Sequence, residues 1–194
     1  LLLIIFPAIN RQYPALQLTI IEGQSEVLAG KVKRGEIDTA ILALPYDLEG
    51  LLTFTFWQED FYWISHKDHH LAGIDHISAG ELDQAELMLL QDGHCLKDQI
   101  LDTCMIASNS YHSVSAASLE TLIQLVVGKM GSTLVPQMAL ATLMGANESL
   151  SNVHLNEPGP HRELAMIMRP TYAGVNNIEL LKALFNSQLS MRFS

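Results

Sequence analysis

The chain has 194 residues, of which 48% are hydrophobic and 16% charged. That length holds one or two compact units, and that apolar content excludes a disordered tail. A formal net charge of −10 repels polyanions, which excludes this stretch as a surface for gripping DNA or RNA.

No apolar run reaches the 18 residues of a transmembrane candidate. The opening LLLIIFPAIN has no basic flank and no small-residue cleavage site, so it reads as a buried helix and not as a signal peptide. Without an initiator methionine, the chain reads as a piece of a longer protein. Helical spacing covers Leu1 to Tyr13 and breaks near Pro14. LQLTIIE alternates as a strand, and SEVLAGKVKRG returns to helical spacing with Gly35 placed to stop it. DTAILAL, ahead of Pro45, has the continuous apolarity of a strand buried on both faces. Helix, strand, helix, strand is the pattern of a parallel sheet with crossover helices.

FYWISHKDH then reads as a long strand and ELMLLQ as another, with Glu59-Asp60 and His69-His70 expected on solvated strand ends. SLETLIQLVVGKM is an amphipathic helix ended by Gly128 and Gly131, and STLVP is a short strand. ELAMIM is a strand closed by Arg169-Pro170. The last helix, NIELLKALFNSQL, has Asn176 or Asn177 as its expected cap. The absence of any low-complexity linker implies two α/β halves joined by strands that cross between them.

Both cysteines fall in GHCLKDQILDTC, nine residues apart. Two cysteines cannot make a disulfide scaffold, and a cytoplasmic origin is the simplest reading. In a reducing compartment a close pair points to catalysis, sensing or metal binding. Asp92-Gly93-His94 is a turn-and-cap sequence, which puts Cys95 in the first turn of a helix. Free backbone N–H groups and the helix dipole favour a thiolate there. The favour matters, because at an ordinary thiol pKa only about 3% is ionised at pH 7. Leu96, Ile100, Leu101 and Cys104 share one helical face, so Cys104 also reads as a small apolar filler. Nine residues of helix would separate the two Cα atoms by roughly 13 Å and place them on opposite faces. A disulfide needs them within about 7 Å, so bonding requires the segment to unwind.

GEIDTAIL (Gly35 to Leu42), DHHLAG (Asp68 to Gly73) and GKMGSTLVP (Gly128 to Pro136) resemble the effector-binding region of LysR-type transcription regulators. DGHCLKDQ with a second cysteine nine residues on, SLETL (Ser118 to Leu122) and PHRELAMIMRP (Pro160 to Pro170) are similar to the OxyR-type hydrogen-peroxide sensors of that family. The resemblance implies an α/β fold of two Rossmann-like lobes joined by two crossing strands, like a periplasmic binding protein. Lobe I would be 1–64 with 168–194, and lobe II, carrying the cysteines, 65–167; an N-terminal DNA-binding domain would lie outside this chain. It implies that Cys95 attacks hydrogen peroxide and Cys104 resolves the product to a disulfide, with Ser25 and His94 positioning peroxide and Arg162 favouring the thiolate. It further implies a switch and not a turnover enzyme, with no cofactor and no metal. The opening helix (Leu2, Leu3, Ile5, Phe6, Ile9) and the helix from Ser118 to Val127 would pair in a homodimer, or in a tetramer of the full-length protein. Implied partners are DNA through the outside domain, RNA polymerase, and a glutaredoxin or thioredoxin system as reductant; no membrane is involved. Two positions depart from the pattern: Ser25 stands where these sensors have threonine, and Ser115 where they have arginine. A second family threonine would lie just upstream of Leu1.

Three other readings stay open on the residues alone. His94, Cys95, Cys104 and His112 are four candidate metal ligands, although the close Cys-x2-4-Cys pair of structural zinc sites is missing. A LysR-type sensor that binds a small metabolite between its lobes would leave the cysteines as core filler. A thiol oxidoreductase would be expected to carry Cys-x-x-Cys, which the chain lacks.

Overall fold

The computed structural model describes residues 1–83, 86–106 and 114–193. Its internal contacts divide the chain into two units, Leu1–Gln58 with Glu163–Ser194, and Glu59–Arg162. Both passages between units fall at strand residues: the chain enters the second unit at the end of β2 (Leu52–Glu59) and leaves it at the start of β9 (Arg162–Met168). The fold is α/β throughout.

In the first unit, α1 (Leu2–Gln12) buries Ile5, Ala8 and Ile9 and packs against α6 (Val175–Phe193). Ile5 and Ile9 are therefore spent inside their own unit and are not available to a dimer interface; Leu2 and Leu3 stay exposed. The sheet runs β1 (Thr39–Leu44), β9, β2. α2 (Ser25–Arg34) lays Leu28, Ala29 and Val32 on Ala40, Leu42 and Ile167. Gly35, at φ +77°, stops it in the left-handed conformation that glycine adopts without strain.

Three expectations need correction here. LQLTIIE is extended but belongs to no named strand, and Leu16, Leu18, Ile20 and Ile21 are exposed. Alternation specifies a strand only when a neighbour offers a ladder. The crossover pattern predicts parallel pairing, yet β1 pairs antiparallel with β9, from Thr39 opposite Met168 to Leu44 opposite Glu163. The partner arrives from the far end of the sequence, beyond the reach of local periodicity. α6 begins at Val175, with Gly174 accepting the amides of Asn177 and Ile178, so neither Asn176 nor Asn177 is the cap.

The second unit is built on a mixed sheet in the order β4 (His76–Ile77), β8 (Leu150–Leu155), β3 (Phe61–His66), β7 (Thr133–Pro136). β3 is antiparallel to both neighbours, whereas β4 runs parallel to β8. The strand expected over FYWISHKDH stops at His66, where the chain turns: the Asp68 amide donates to the His66 ring at Nδ1 and the His69 amide to the His66 carbonyl. ELMLLQ gives a single bridge from Leu87 to Ser132 and a two-residue strand β5 (Leu89–Leu90), parallel to β6 (Ser115–Ala116). Against this sheet pack α3 (Cys95–Thr103), α4 (Leu119–Val127) and α5 (Gln137–Ala146), enclosing Phe61, Ile64, Leu89, Ile100, Leu122, Val126 and Leu134.

Glycine is required at one point of this frame. Gly131 has φ +156°, and a Cβ there would stand 2.4 Å from the Glu86 carbonyl oxygen, which accepts the Ser132 amide. Gly131→Ala is expected to cost about 2 kcal/mol or more, because the obstacle is backbone and not a movable side chain. Urea denaturation of both proteins checks this.

Candidate functional site

The helix that carries the cysteines is defined by its two ends. Gly93 turns the chain at φ +90°, and His94 follows as N-cap in an extended conformation (φ −93°, ψ 115°). Its side chain makes no capping bond among the described residues. Cys95 is the first helical residue and is half-buried, while Leu96 and Ile100 enter the core. The sulfur is thus carried by the turn whose amides have no intrahelical acceptors, where negative charge is favoured.

At the other end Cys104 is the C-cap. The Ile106 amide bonds the Leu101 carbonyl at 3.0 Å and the Met105 amide bonds Asp102 at 3.3 Å. This is the Schellman closure, which places Met105 in the left-handed conformation at φ +53° with its side chain 93% exposed. Where α2 has glycine at this position, α3 has a methionine. Cys104 is 7% exposed, and burial, helped by the Glu157 carboxylate, pushes its thiol up to about 12. About one Cys104 in 100,000 is then ionised at pH 7. Both cysteines are free thiols. One is half-buried at a helix start, and the other is buried and protonated at the helix end.

The first turn also holds a cation that the sequence reading passed over. Lys97 has a side chain only 9% exposed, and its Nζ donates to Asp92 Oδ1 at 2.6 Å. Asp92 is thereby held below the usual carboxylate range, first by this hydrogen bond and then by the lysine's charge.

Arg162 sits where the chain leaves the second unit, and its guanidinium meets Glu59 Oε1 at 3.5 Å. Glu59 is 3% exposed, which corrects the expectation that Glu59-Asp60 lies on a solvated strand end. Its second oxygen accepts the Met138 amide, at the start of α5, at 2.8 Å. Burial raises the Glu59 carboxyl above its ordinary range, against the lowering by Arg162 and the Met138 amide. Alongside, His161 accepts the Phe61 amide at Nδ1 (2.9 Å) and donates from Nε2 to the Glu157 carbonyl (2.9 Å), which fixes one tautomer. Asp60 bonds His154 at 3.0 Å. A polar knot of paired groups thus ties the two chain passages at the edge of the second unit. The sequence signal for it was the adjacency of Glu59 and Asp60 before an apolar strand, which composition alone reads as surface.

Residues 1–190 match the family described as LysR substrate binding domain. The chain belongs to that family. It is 35% identical to the HTH-type transcriptional regulator EstR of Acinetobacter baylyi over 83% of this chain and 54% of that protein. With a probable hydrogen peroxide-inducible genes activator of Streptomyces viridosporus it shares 33% identity over 90% of this chain and 57% of the relative. Among solved structures, the hydrogen-peroxide-bound form of a Corynebacterium glutamicum OxyR mutant is similar at a TM-score of 0.89 and 29% identity, covering 98% of this chain and 61% of that one. The chain spans little more than half the length of the curated relatives it matches. Solved OxyR regulatory domains share its fold, the periplasmic-binding-protein-like LysR architecture of two α/β lobes with crossing strands.

Within this LysR-family domain the sequence-selected residues separate by unit. Cys95, Cys104, His94 and Arg162 belong to the second unit and Ser25 to the first. Ser25 is half-buried as the first residue of α2, and the N-cap is Gln24. Ser115 lies exposed in β6. His112, one of the four candidate metal ligands, is outside the described residues. Among the described residues no group of three or more His, Cys, Asp or Glu is arranged to hold a metal ion, and no helix is long and apolar enough to cross a membrane.

Two outcomes follow from this geometry. Met105→Gly should stabilise the dithiol protein by about 1 kcal/mol, since the side chain is solvated and only the left-handed strain is removed. Urea titration under reducing conditions measures it. For Glu59 the sign comes from its raised carboxyl. The folded state takes up a proton at higher pH than the unfolded chain, so the group's favourable contribution is complete below the ordinary glutamate range. It is lost as pH rises through the folded value. Wild type should therefore lose stability relative to Glu59→Gln over that window, and parallel stability–pH curves would remove Glu59 as the cause.

Proposed function

We propose that the chain is the regulatory domain of an OxyR-type, LysR-family transcription factor and senses hydrogen peroxide through Cys95 and Cys104. The observation that carries the reading is the asymmetry of the pair: a half-buried thiol on a helix N-terminus and a buried, protonated thiol at the opposite end. Relatives named for hydrogen peroxide support it.

The Cys95 thiolate attacks one peroxide oxygen; the O–O bond breaks, an S–O bond forms and hydroxide leaves. α3 then opens, Cys104 gives up its proton, and its sulfur attacks the Cys95 sulfur, forming S–S as the S–O bond breaks and water departs. Two thiols and one peroxide give one disulfide and two waters. Ser25 and His94 position the peroxide, and Arg162, oriented by Glu59, contributes positive charge that favours the thiolate. The disulfide is a signal relayed through a homodimer to DNA-binding segments outside this chain, and an external dithiol system resets it. The oxidation is stoichiometric, so the domain is a switch and not a turnover enzyme, and its setting is the reducing cytoplasm.

The match to the LysR substrate binding domain, shared with a relative named only as a transcriptional regulator, supports a second reading: an effector domain that binds a small metabolite, with the cysteines as filler. Mass spectrometry after one equivalent of peroxide separates the two. The sensor loses two thiols and two hydrogens in mass. Cys95→Ser abolishes peroxide consumption, and Cys104→Ser leaves a sulfenic acid trapped on Cys95. Unchanged thiols in wild type, or a sulfenate probe labelling Cys104 in Cys95→Ser at the wild-type rate, would overturn the sensor assignment.

A further inference from the structure

We infer that Lys97 is a positioning residue for Cys95: its ion pair with Asp92 is a clasp that holds the cysteine end of α3 closed and so sets how readily the thiol pair oxidises. The inference rests on the thiol-switch reading and adds to it a residue that acts on the sulfur through the backbone.

Two features make Lys97 anomalous. It occupies the third position of α3, where the dipole disfavours a cation, and its side chain is 9% exposed. A lysine placed without function at a helix start would extend into water, where its rotamer freedom is kept. Here the stem is covered and the ammonium donates at 2.6 Å to a carboxylate whose own side chain is 95% exposed. The pair runs from residue 92 to residue 97, spanning Gly93, His94, Cys95 and Leu96. Gly93 is the turn and His94 a cap without a side-chain bond among the described residues. The Lys97 amide also bonds the His94 carbonyl at 3.0 Å. Lys97 thus fastens the turn from both its backbone and its side chain, and these are the bonds that fix the entry into Cys95.

Among the described residues the other end has its backbone closure and no such side-chain ion pair. It closes through a left-handed methionine whose side chain is solvated. Opening therefore starts at Cys104 and proceeds toward a fixed Cys95. Loss of the clasp would loosen the fixed end as well. That loss destabilises the dithiol helix relative to the disulfide form, in which the helix is already open, so the reduction potential should fall.

The test uses the 194-residue chain with Asp92→Asn, Lys97→Met and Lys97→Arg. Asp92→Asn alters a solvated side chain and leaves the interior intact, and Lys97→Met keeps the covered stem. Hydrogen exchange of the Leu96–Ile100 amides is measured in dithiol protein, and the Cys95–Cys104 equilibrium in dithiothreitol buffers. Asn and Met variants should each exchange several-fold faster and shift the equilibrium at least threefold toward the disulfide, about 15 mV more negative. Lys97→Arg should preserve both, and the double variant should shift by less than the sum of the two single ones. Unchanged exchange and potential in both single variants would overturn the clasp. A merely structural lysine would lower global stability while leaving the potential of the pair unmoved, and that outcome also overturns it. A wild-type chain that forms no disulfide with peroxide would instead defeat the thiol-switch reading, and with it the role of the clasp in setting oxidation.

Discussion

A helix from Cys95 to Cys104 and a bond between their sulfurs exclude each other. Nine residues of α-helix set the Cα atoms roughly 13 Å apart on opposite faces, and a disulfide tolerates about 7 Å. Everything else in the second unit bears on that choice. Leu96 and Ile100 hold the helix to the sheet, Gly93 and His94 start it, and the Schellman closure at Met105 stops it. Burial keeps Cys104 protonated while it stays in its place. A nucleophilic Cys104 thus presupposes that the helix has already begun to open.

The polar knot at the unit boundary answers a different demand. A buried carboxylate and a partly buried guanidinium are costly unless paired, and removing one partner strands the other. Glu59 and Arg162 sit on the two chain passages, and the start of α5 supplies a third contact. Since one partner is a strand end and the other a strand beginning, the pair specifies register where no loop geometry does. It also keeps the arginine in one orientation, which a charge that must act on a neighbour requires.

Most helices and the strands of the continuous core were legible because their signals are local. Gly35 ends α2 in its left-handed role, Ser118 caps α4 by accepting the Thr121 amide, and TAILAL is a strand. Failures came where a distant partner decides. LQLTIIE alternates but has no place in a named strand, and β1 took an antiparallel neighbour 119 to 129 residues away. Gly128, read as a stop for α4, is its C-cap, with the left-handed position one residue on at Lys129. At the site, the cysteine at the helix start was legible from Asp92-Gly93-His94. Lys97 and Glu59 were not, because sequence reports a charge and not the burial that gives it consequence.

The energetics of the proposed switch fix what kind of input it could answer. Opening α3 exposes part of Leu96 and Ile100, about 1.5–3 kcal/mol for each side chain fully exposed, besides the helical hydrogen bonds. A ten-residue loop closed by a disulfide recovers only roughly 2.7 kcal/mol through restriction of the open chain. Those terms leave the dithiol helix favoured unless the sulfur chemistry itself tips the balance. Binding of a ligand with equal affinity for both states would shift nothing. Peroxide reduction is strongly exergonic, and its disulfide product fits only the open form, so it is suited to drive the change. The Asp92–Lys97 pair and the strained Met105 then act in opposite directions on the same difference: one deepens the dithiol state and the other makes it shallower. Sensitivity can be tuned at either end of the helix without touching a cysteine.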